Sequence, residues 1–235
     1  MKVVILAGGL GTRIREETVS KPKPLIKIGG KPIIWHIMKN LSAYGDHEFI
    51  ICCGYKGKMI KEFCKNKSLP WKIKTVDTGL KTMTGGRLKK IRKYVENETF
   101  VVTYGDDLKN INLKKLVNFH RRTKKTVTLT AFQPVGRFGL LEMEKNSISK
   151  IREKIPGDGY WYNGGYYVME PKIFNYLKND KTVLEKHPLN KLAKEKQVNA
   201  FKYFGSYQPM DTFEDKKKLE KMWKEGNAYW KNWKD

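Results

Sequence analysis

The chain has 235 residues, of which 40% are hydrophobic and 12% aromatic, a composition that excludes a disordered protein and suffices for a large core. It carries 48 Lys and Arg against 24 Asp and Glu, a net charge of +24. Because no apolar run approaches the roughly 18 residues of a transmembrane helix, we expect no membrane partner. The opening MKVVILAGG breaks into glycine too early for a secretory signal, and three cysteines without CxxC spacing argue against disulfides or a zinc knuckle. Both observations predict a cytoplasmic protein.

The first part of the chain alternates apolar strands with helices. Strands are predicted at Lys2–Ala7, Phe49–Cys53, Lys72–Val76, Phe100–Tyr104 and Thr126–Phe132. Helices are predicted at Pro32–Tyr44, Gly57–Lys65, Gly86–Val95 and Leu113–Arg122. This alternation implies right-handed crossovers and an α/β fold, with a Rossmann-like, mixed and mostly parallel sheet flanked by helices.

After Gln133 the pattern becomes α+β. Strands are predicted at Leu140–Met143, Ser147–Glu153, Tyr162–Met169 and Asn199–Phe204, and helices at Pro171–Leu177, Val183–Lys194 and Phe213–Lys224. We therefore predict one domain over residues 1–235, with a nucleotide-binding half at 1–133 and a small α+β half at 134–235 that ends in a helix and completes a site. The aromatic tail, which contains Trp230, packs either on this domain or at a subunit interface.

The excess of positive charge has three interpretations. It is a solvated surface, a site for anionic small molecules, or a surface for nucleic acid. Forty of the basic residues are Lys and only eight are Arg, and the lysines are spread along the whole chain. Because specific phosphate and base recognition favours the Arg fork, we expect no nucleic-acid partner.

A glycine-rich turn follows the first strand, in the segment Leu6-Ala-Gly-Gly-Leu-Gly-Thr-Arg13. Successive backbone N–H groups in such a turn bind anions. A Walker A loop is excluded because Gly30-Lys31 precedes proline, and a Rossmann fingerprint lacks its third glycine at Ile14. The remaining interpretation is a nucleoside triphosphate loop whose Arg13 contacts phosphates.

The segment Lys21-Pro-Lys-Pro24 comes next. Two prolines hold it extended, so it presents lysines at a fixed reach from the glycine loop. A merely solvated loop is the alternative, and its position beside the glycine turn favours a phosphate contact.

These segments resemble the opening of the sugar-1-phosphate nucleotidylyltransferases. Further along, the chain is similar, in order, to the glucose-1-phosphate cytidylyltransferase family, at Phe49–Gly57, Thr82-Met-Thr-Gly-Gly-Arg-Leu88, Tyr104-Gly-Asp106, Gly136–Gly139, Asn163-Gly-Gly165 and Gln208-Pro-Met-Asp-Thr212. The resemblance covers nearly the whole chain. It implies an enzyme that uses CTP and α-D-glucose 1-phosphate, with Mg²⁺ as cofactor, to make CDP-glucose for surface glycans such as the O-antigen of lipopolysaccharide. A relative that uses UTP or dTTP, or another acceptor, is the nearest alternative. A basic nucleic-acid-binding protein, or a nucleotide sensor without turnover, is the alternative from another class.

The resemblance also implies roles for individual residues. Arg13, Lys23 and Asp106 are the expected catalytic residues, and Lys23 is preferred to Lys21 because it lies ten positions after Arg13, as in the family. Asp106 and Asp211 are the expected metal ligands, since Mg²⁺ prefers carboxylate oxygens. The expected nucleotide-binding residues are Leu6, Ala7, Gly8, Gly9, Gly11, Thr12, Arg13, Lys23, Thr84, Gly85, Gly86, Arg87, Tyr104 and Gly105. The expected sugar-phosphate residues are Gly139, Glu153, Lys154, Asn163 and Gly164.

The chain departs from the family at two places. The connection Lys65–Val76 is roughly twenty residues shorter than in members where it makes hexamer contacts, which leaves a homo-oligomer as an open expectation. Gly105-Asp-Asp107 stands where the family has Gly-Asp-Gly, so Asp107 is either an extra carboxylate near the metal or a tolerated turn residue.

Overall fold

The computed structural model describes residues 1–133, 139–153 and 160–234. Within this part the strands are β1 Lys2–Ala7, β2 Lys27–Ile28, β3 Lys31–Pro32, β4 Glu48–Cys53, β5 Lys72–Asp77, β6 Phe100–Tyr104, β7 Asp107–Lys109, β8 Val127–Phe132, β9 Leu140–Glu144, β10 Ser147–Arg152, β11 Tyr162–Met169, β12 Val198–Tyr203 and β13 Tyr207–Pro209. The α-helices are α1 Arg15–Thr18, α2 Ile33–Ser42, α3 Gly57–Cys64, α4 Thr84–Lys90, α5 Arg92–Val95, α6 Leu113–Thr123, α7 His187–Lys194 and α8 Phe213–Lys224. Short 3₁₀ turns cover Thr12–Ile14, Lys23–Leu25 and Pro171–Tyr176.

A seven-stranded sheet in the order β12-β8-β11-β6-β1-β4-β5 forms the centre of the molecule. The paired strands are parallel except for β11, which runs antiparallel to both β6 and β8. This confirms the predicted mixed, mostly parallel α/β fold. Strands from both halves of the chain share this one sheet. Among the described residues of the second half, the β9–β10 hairpin and strand β13 lie outside it.

Helices cover both faces of the sheet, which is why its central strands are continuous apolar runs. Alternate residues of β1 point to opposite faces, with Val3 and Ile5 in one core cluster and Val4 and Leu6 in the other. The first cluster packs against α2, α6, α8 and the C-terminal tail, and the second against α4, α5, α7 and the 3₁₀ turn at Pro171–Tyr176.

Three helix predictions are corrected. The segment predicted as Gly86–Val95 is two helices, α4 and α5, because Ile91 leaves the helical region at φ −100° and ψ 6°. The segment Pro171–Leu177 is a 3₁₀ turn. The helix predicted from Val183 begins at His187, where Pro188 occupies the first turn, as proline prefers.

The sequence analysis missed a short antiparallel pair that joins distant parts of the chain. Strand β7 pairs with β13, so that Asp107 lies opposite Pro209. Just beyond this pair, the Met210 N–H donates to the Asp106 carbonyl at 3.0 Å. The two segments that carry Asp106 and Asp211 are therefore held side by side.

The aromatic tail packs on its own domain. Trp230 is fully buried, and its carbonyl accepts a hydrogen bond from the Asn40 side-chain amide of α2 at 2.7 Å. Its indole lies against the His36 ring, at 6.1 Å between ring centres. Of the two interpretations of the tail, the structure supports packing within the chain.

Candidate active site

The glycine-rich turn lies at the carboxyl ends of the parallel strands, where α/β sheets bind ligands. Gly11 adopts φ +66°, and a Cβ there would lie 2.7 Å from Thr18 Cγ2, so this position requires glycine. The Thr18 hydroxyl donates to the Gly11 carbonyl at 3.1 Å. The loop is thus fixed by its own neighbours and leads directly into the 3₁₀ turn that carries Arg13.

Four charged residues predicted from separate segments meet in one ion-pair network. The Lys23 ammonium donates to Asp106 at 2.7 Å and to Asp211 at 2.8 Å. The Arg13 guanidinium donates to the other oxygen of Asp211 at 2.7 Å. Lys21 instead pairs with Glu17 at 3.3 Å, so it lies outside this network, in agreement with the preference for Lys23.

The Lys23 ammonium is held in its charged form. Its side chain is only 8% exposed, and burial works against the charge, but the carboxylates of Asp106 and Asp211 outweigh burial and raise the pKa of Lys23. Arg13 by contrast has a side chain that is 71% exposed. The network therefore combines one buried, fixed cation with one cation that reaches into open space.

A cavity of about 580 Å³ opens beside this network. The glycine turn forms one wall and residues 80–84 form another, with Lys23 and Asp106 at one end. Of the residues expected to bind the nucleotide, it is lined by Leu6, Ala7, Gly8, Gly9, Gly11, Thr12, Arg13, Lys23, Thr84, Arg87, Tyr104 and Gly105. A second cavity of about 1210 Å³ lies on the other side of Arg13 and is lined in part by Asp211 and Gln133.

Gly85 and Gly86 were expected to bind the nucleotide, but neither lines the first of these cavities. Backbone fills the space beside them. A Cβ on Gly85 would lie 2.9 Å from the Thr182 carbonyl, and one on Gly86 would lie 2.7 Å from Asp180 Cα. These glycines admit the segment 180–182, whose Asp180 carbonyl accepts from the Met83 N–H at 2.8 Å.

The guanidinium of Arg87 is used within the protein. It donates to the Gly8 carbonyl at 2.9 Å, to the Cys53 carbonyl at 3.1 Å, to the Gly79 carbonyl at 2.9 Å and to the Thr78 hydroxyl at 2.6 Å. Burial lowers the pKa of this side chain. Arg87 thus fastens the glycine turn to the ends of β4 and β5, and it lines the cavity without offering these donors to a ligand.

Two of the residues expected to bind the sugar phosphate, Asn163 and Gly164, lie near the start of β11. Because β11 is antiparallel to its neighbours, its first residues reach the same sheet edge as Tyr104 and Asp106. Asn163 is exposed there, and its side-chain oxygen accepts from the Gly165 N–H at 2.9 Å. Gly164 lies so close to β8 that a Cβ would come within 2.6 Å of the Thr130 hydroxyl.

The remaining residues of this set lie on or beside the hairpin. Gly139 precedes β9, and Glu153 follows β10 and is exposed. Lys154 lies outside the described residues, and so does Phe138, which precedes Gly139 in the Gly136–Gly139 motif.

Asp107 takes neither of the two expected roles. Its carboxylate forms an ion pair with Lys109, and the two side chains are 5% and 1% exposed. The Lys109 ammonium lies between the rings of Tyr166 and Tyr207, at 4.7 and 4.8 Å from their centres. Asp107 therefore belongs to a buried pair that anchors β7 beneath Asp106.

The carboxylates present suit a magnesium ion that takes further ligands from its substrates. Asp106 and Asp211 each place an oxygen within 2.8 Å of the same Lys23 nitrogen, so both face one point. Among residues 1–133, 139–153 and 160–234, no three His, Cys, Asp or Glu side chains converge as a complete cage. Two carboxylates completed by phosphate oxygens and water are the usual magnesium arrangement.

The residues with ordinary structural explanations stay outside the site. In the core, the His36 ring accepts a hydrogen bond from the Trp230 indole N–H and donates one to the Ile28 carbonyl. Burial lowers the pKa of His36 to about 4. Burial raises the pKa of Cys53 to about 11, which keeps this thiol unreactive. Within the part of the chain that the structure describes, no helix is long and apolar enough to cross a membrane.

Comparison with known proteins identifies the family. Residues 2–235 match the nucleotidyl transferase family model. The chain is 46% identical to glucose-1-phosphate cytidylyltransferase of Salmonella typhi over 256 aligned positions, which cover 99% of this chain and all of that protein. It is 41% identical to probable glucose-1-phosphate cytidylyltransferase of Bacillus subtilis, again over 99% of this chain and all of that protein.

A solved structure agrees. HddC from Yersinia pseudotuberculosis complexed with GMP-PN superimposes with a TM-score of 0.72 at 27% identity, over 94% of this chain and 99% of that one. This chain therefore belongs to the nucleotidyl transferase family and, within it, to the glucose-1-phosphate cytidylyltransferases.

Proposed function

We propose that this enzyme transfers CMP from CTP to α-D-glucose 1-phosphate, giving CDP-glucose and pyrophosphate. The observation that carries the proposal is the network of Arg13, Lys23, Asp106 and Asp211 beside the glycine turn. The relatives at 46% and 41% identity, named for glucose 1-phosphate and cytidylyl transfer, support the two substrates.

The reaction needs charge neutralisation and alignment more than a side-chain nucleophile. An oxygen of the acceptor phosphate is already ionised, so it attacks the α-phosphorus of CTP while the bond to pyrophosphate breaks on the opposite side. Holding two polyanions in this alignment is the main task of the protein.

Lys23 is assigned to the α-phosphate. Its raised pKa keeps the ammonium charged, and its two carboxylate contacts fix its direction, so it can stabilise charge that develops at phosphorus. Arg13 is assigned to the β- and γ-phosphates, because its exposed guanidinium follows the glycine turn and forks onto oxyanions.

Asp106 and Asp211 are assigned to Mg²⁺, with the phosphates completing the ligand set. Bound there, the ion would offset the negative charge of the triphosphate and of the departing pyrophosphate. The contribution of this chain is to hold the two carboxylates together, through the hydrogen bond from Met210 N–H to the Asp106 carbonyl and the β7–β13 pair.

The cavity suggests how the substrates divide between the two halves of the chain. The nucleoside is assigned to the space between the glycine turn and residues 80–84, in the half at 1–133. The hexose phosphate is assigned to Gly139, Glu153, Lys154, Asn163 and Gly164, in the half at 134–235. The buried Cys52 and Cys53 thiols and the half-buried Cys64 thiol all have raised pKa values and suit a reducing cytoplasm, where nucleoside triphosphates are available.

Pyrophosphate release tests this proposal. CTP, UTP, dTTP, ATP and GTP are each combined with a panel of sugar 1-phosphates and Mg²⁺, and the Lys23→Gln variant reports contaminating activity. We expect release with CTP and glucose 1-phosphate. Release with CTP and only another acceptor would overturn the assigned hexose, and CTP binding without release would indicate a nucleotide sensor.

A further inference from the structure

A directed chain of hydrogen bonds links the nucleotide cavity to the acceptor residues. The Glu185 carboxylate accepts from the Thr84 hydroxyl at 2.7 Å through one oxygen and from the Tyr104 hydroxyl through the other. The Tyr104 and Tyr167 hydroxyls are 3.1 Å apart. The Asn163 side-chain amide donates to the Tyr167 hydroxyl at 2.6 Å.

The direction of every hydrogen bond in this network follows from the number of protons that each group can donate. Tyr104 gives its single proton to Glu185, so its oxygen can only accept from Tyr167. Tyr167 has then used its own proton, and its oxygen accepts from Asn163. At the other end, the Thr84 hydroxyl accepts from the Leu184 N–H at 2.9 Å and donates its own proton to Glu185, because a carboxylate can only accept.

Tyr167 keeps its proton. Burial raises the pKa of Tyr167 to about 12, although its own hydrogen bonds work in the other direction. At physiological pH every hydrogen bond in this network therefore points in one fixed direction, and the Glu185 carboxylate is the final acceptor.

Asn163 is oriented from both sides. Its oxygen accepts from the Gly165 N–H at 2.9 Å, and one hydrogen of its amide nitrogen is used on Tyr167. The second hydrogen stays available at the exposed end of the side chain. Glu185, which does not itself line the nucleotide cavity, thereby fixes the orientation of the Asn163 amide through the two tyrosines.

We propose that Glu185 is a positioning residue that couples the nucleotide site to the acceptor site. One carboxylate oxygen fixes Thr84 in the wall of the nucleotide cavity, and the other fixes the tyrosine pair that orients Asn163. This inference rests on the proposed function, because Asn163 is there assigned to the hexose phosphate.

The coupling makes specific predictions for two variants. Glu185→Gln keeps the shape but places a donor where a tyrosine or threonine proton now points. We expect it to raise the KM for CTP and the KM for glucose 1-phosphate, each about tenfold, the order of one charge-assisted hydrogen bond. Tyr167→Phe removes the hydrogen bonds between Tyr104 and Asn163 but keeps those of Glu185 with Thr84 and Tyr104. It should therefore raise the KM for glucose 1-phosphate and leave the KM for CTP within twofold.

The double variant separates positioning from general structural damage. In Glu185→Gln with Tyr167→Phe, the KM for glucose 1-phosphate should be no higher than in Tyr167→Phe alone, because Tyr167→Phe already removes the hydrogen bonds that link Glu185 to Asn163. Glu195→Gln is the matched control, since Glu195 accepts from the Tyr176 hydroxyl at an exposed position away from the site. It should leave both KM values unchanged.

The outcomes distinguish this proposal from the proposed function. KM values are measured with whichever acceptor phosphate the wild-type protein turns over, so a wrong acceptor refutes the proposed function and not the coupling. Calorimetric binding of CTP alone gives a readout independent of turnover, and Glu185→Gln should weaken it about tenfold. The proposal would be overturned if the acceptor KM of the double variant rose by the product of the two single-variant increases. It would also be overturned if Glu185→Gln left the affinity for CTP unchanged.

Discussion

The buried pair of Asp107 and Lys109 offers a quantitative test of how the charges buried in strand β7, next to Asp106, affect stability. Burial raises the pKa of Asp107 to about 6 despite the nearby Lys109 ammonium, and burial lowers the pKa of Lys109 despite Asp107. Both directions indicate that desolvation outweighs the mutual attraction. The pair therefore adds little net stability, but each partner is costly to leave alone.

The size of the effect follows from this burial. Lys109→Met leaves a carboxylate at 5% exposure without its cation, which costs about 3–5 kcal/mol in buried pairs. For a chain of this length that corresponds to roughly 10 °C in Tm. Replacing both residues, as in Asp107→Leu with Lys109→Met, removes both charges, so we expect most of the lost stability to return.

Urea unfolding followed by tryptophan fluorescence measures these changes, at pH 7.5, above the pKa of Asp107. Arg92→Met is the control, since it breaks an ion pair with Glu96 whose side chains are 57% and 36% exposed, and such pairs contribute under about 1 kcal/mol. A double variant as unstable as the single Lys109→Met would refute the reasoning, because it would show that the charge itself is not what makes the single variant unstable.

Three further predictions concern the site and the core. Lys23→Ala should lower kcat by orders of magnitude with little loss of secondary structure by circular dichroism, and unchanged turnover would remove Lys23 from the α-phosphate. Asp211→Asn should raise the Mg²⁺ concentration needed for half-maximal rate, and an unaltered titration would remove Asp211 from the metal site. His36 has a folded pKa of about 4, below its unfolded value near 6.5, so the fold favours the neutral ring. The neutral ring contributes fully to the free energy of unfolding above pH 6.5. About 3 kcal/mol of that free energy is lost as the pH falls toward 4, and His36→Gln should not show this loss.

The sequence predicts the sheet well because its central strands are apolar runs bounded by glycine. The strand Phe100–Tyr104 is found where predicted. The three-residue strands β7 and β13 were missed, because Asp107 and Lys109 have the composition of an exposed turn although they are buried. Only the long-range pairing with residues 207–209 explains why these charges lie inside.

The side-chain roles divide in the same way. Arg13 could be proposed from the glycine turn that it follows, whereas the roles of Lys23, Asp106 and Asp211 were expected from the family resemblance. Their assembly is a tertiary fact, in which Asp106 and Asp211 accept from the Lys23 ammonium and Arg13 donates to Asp211. Arg87 illustrates the limit of motif reasoning: its position predicts a ligand contact, whereas its guanidinium is consumed by the Gly8, Cys53 and Gly79 carbonyls and the Thr78 hydroxyl.

Glu185 had no sequence signal at all. It lies in a segment predicted as helix, its partners Thr84 and Tyr104 come from two distant elements, and Tyr104 in turn pairs with Tyr167 of a third. The helix begins only at His187. A network assembled by the fold leaves no spacing pattern in the sequence, so only the folded structure reveals it.

The most direct test of the account is a competition for the acceptor. The protein is incubated with Mg²⁺, glucose 1-phosphate and an equimolar mixture of CTP, UTP, dTTP, ATP and GTP, and the nucleotide sugars are identified by mass spectrometry. We expect CDP-glucose as the dominant product in the wild type and its loss in Lys23→Ala. A dominant product that carries another base, or none from CTP, would contradict the assignment of this site to cytidylyl transfer.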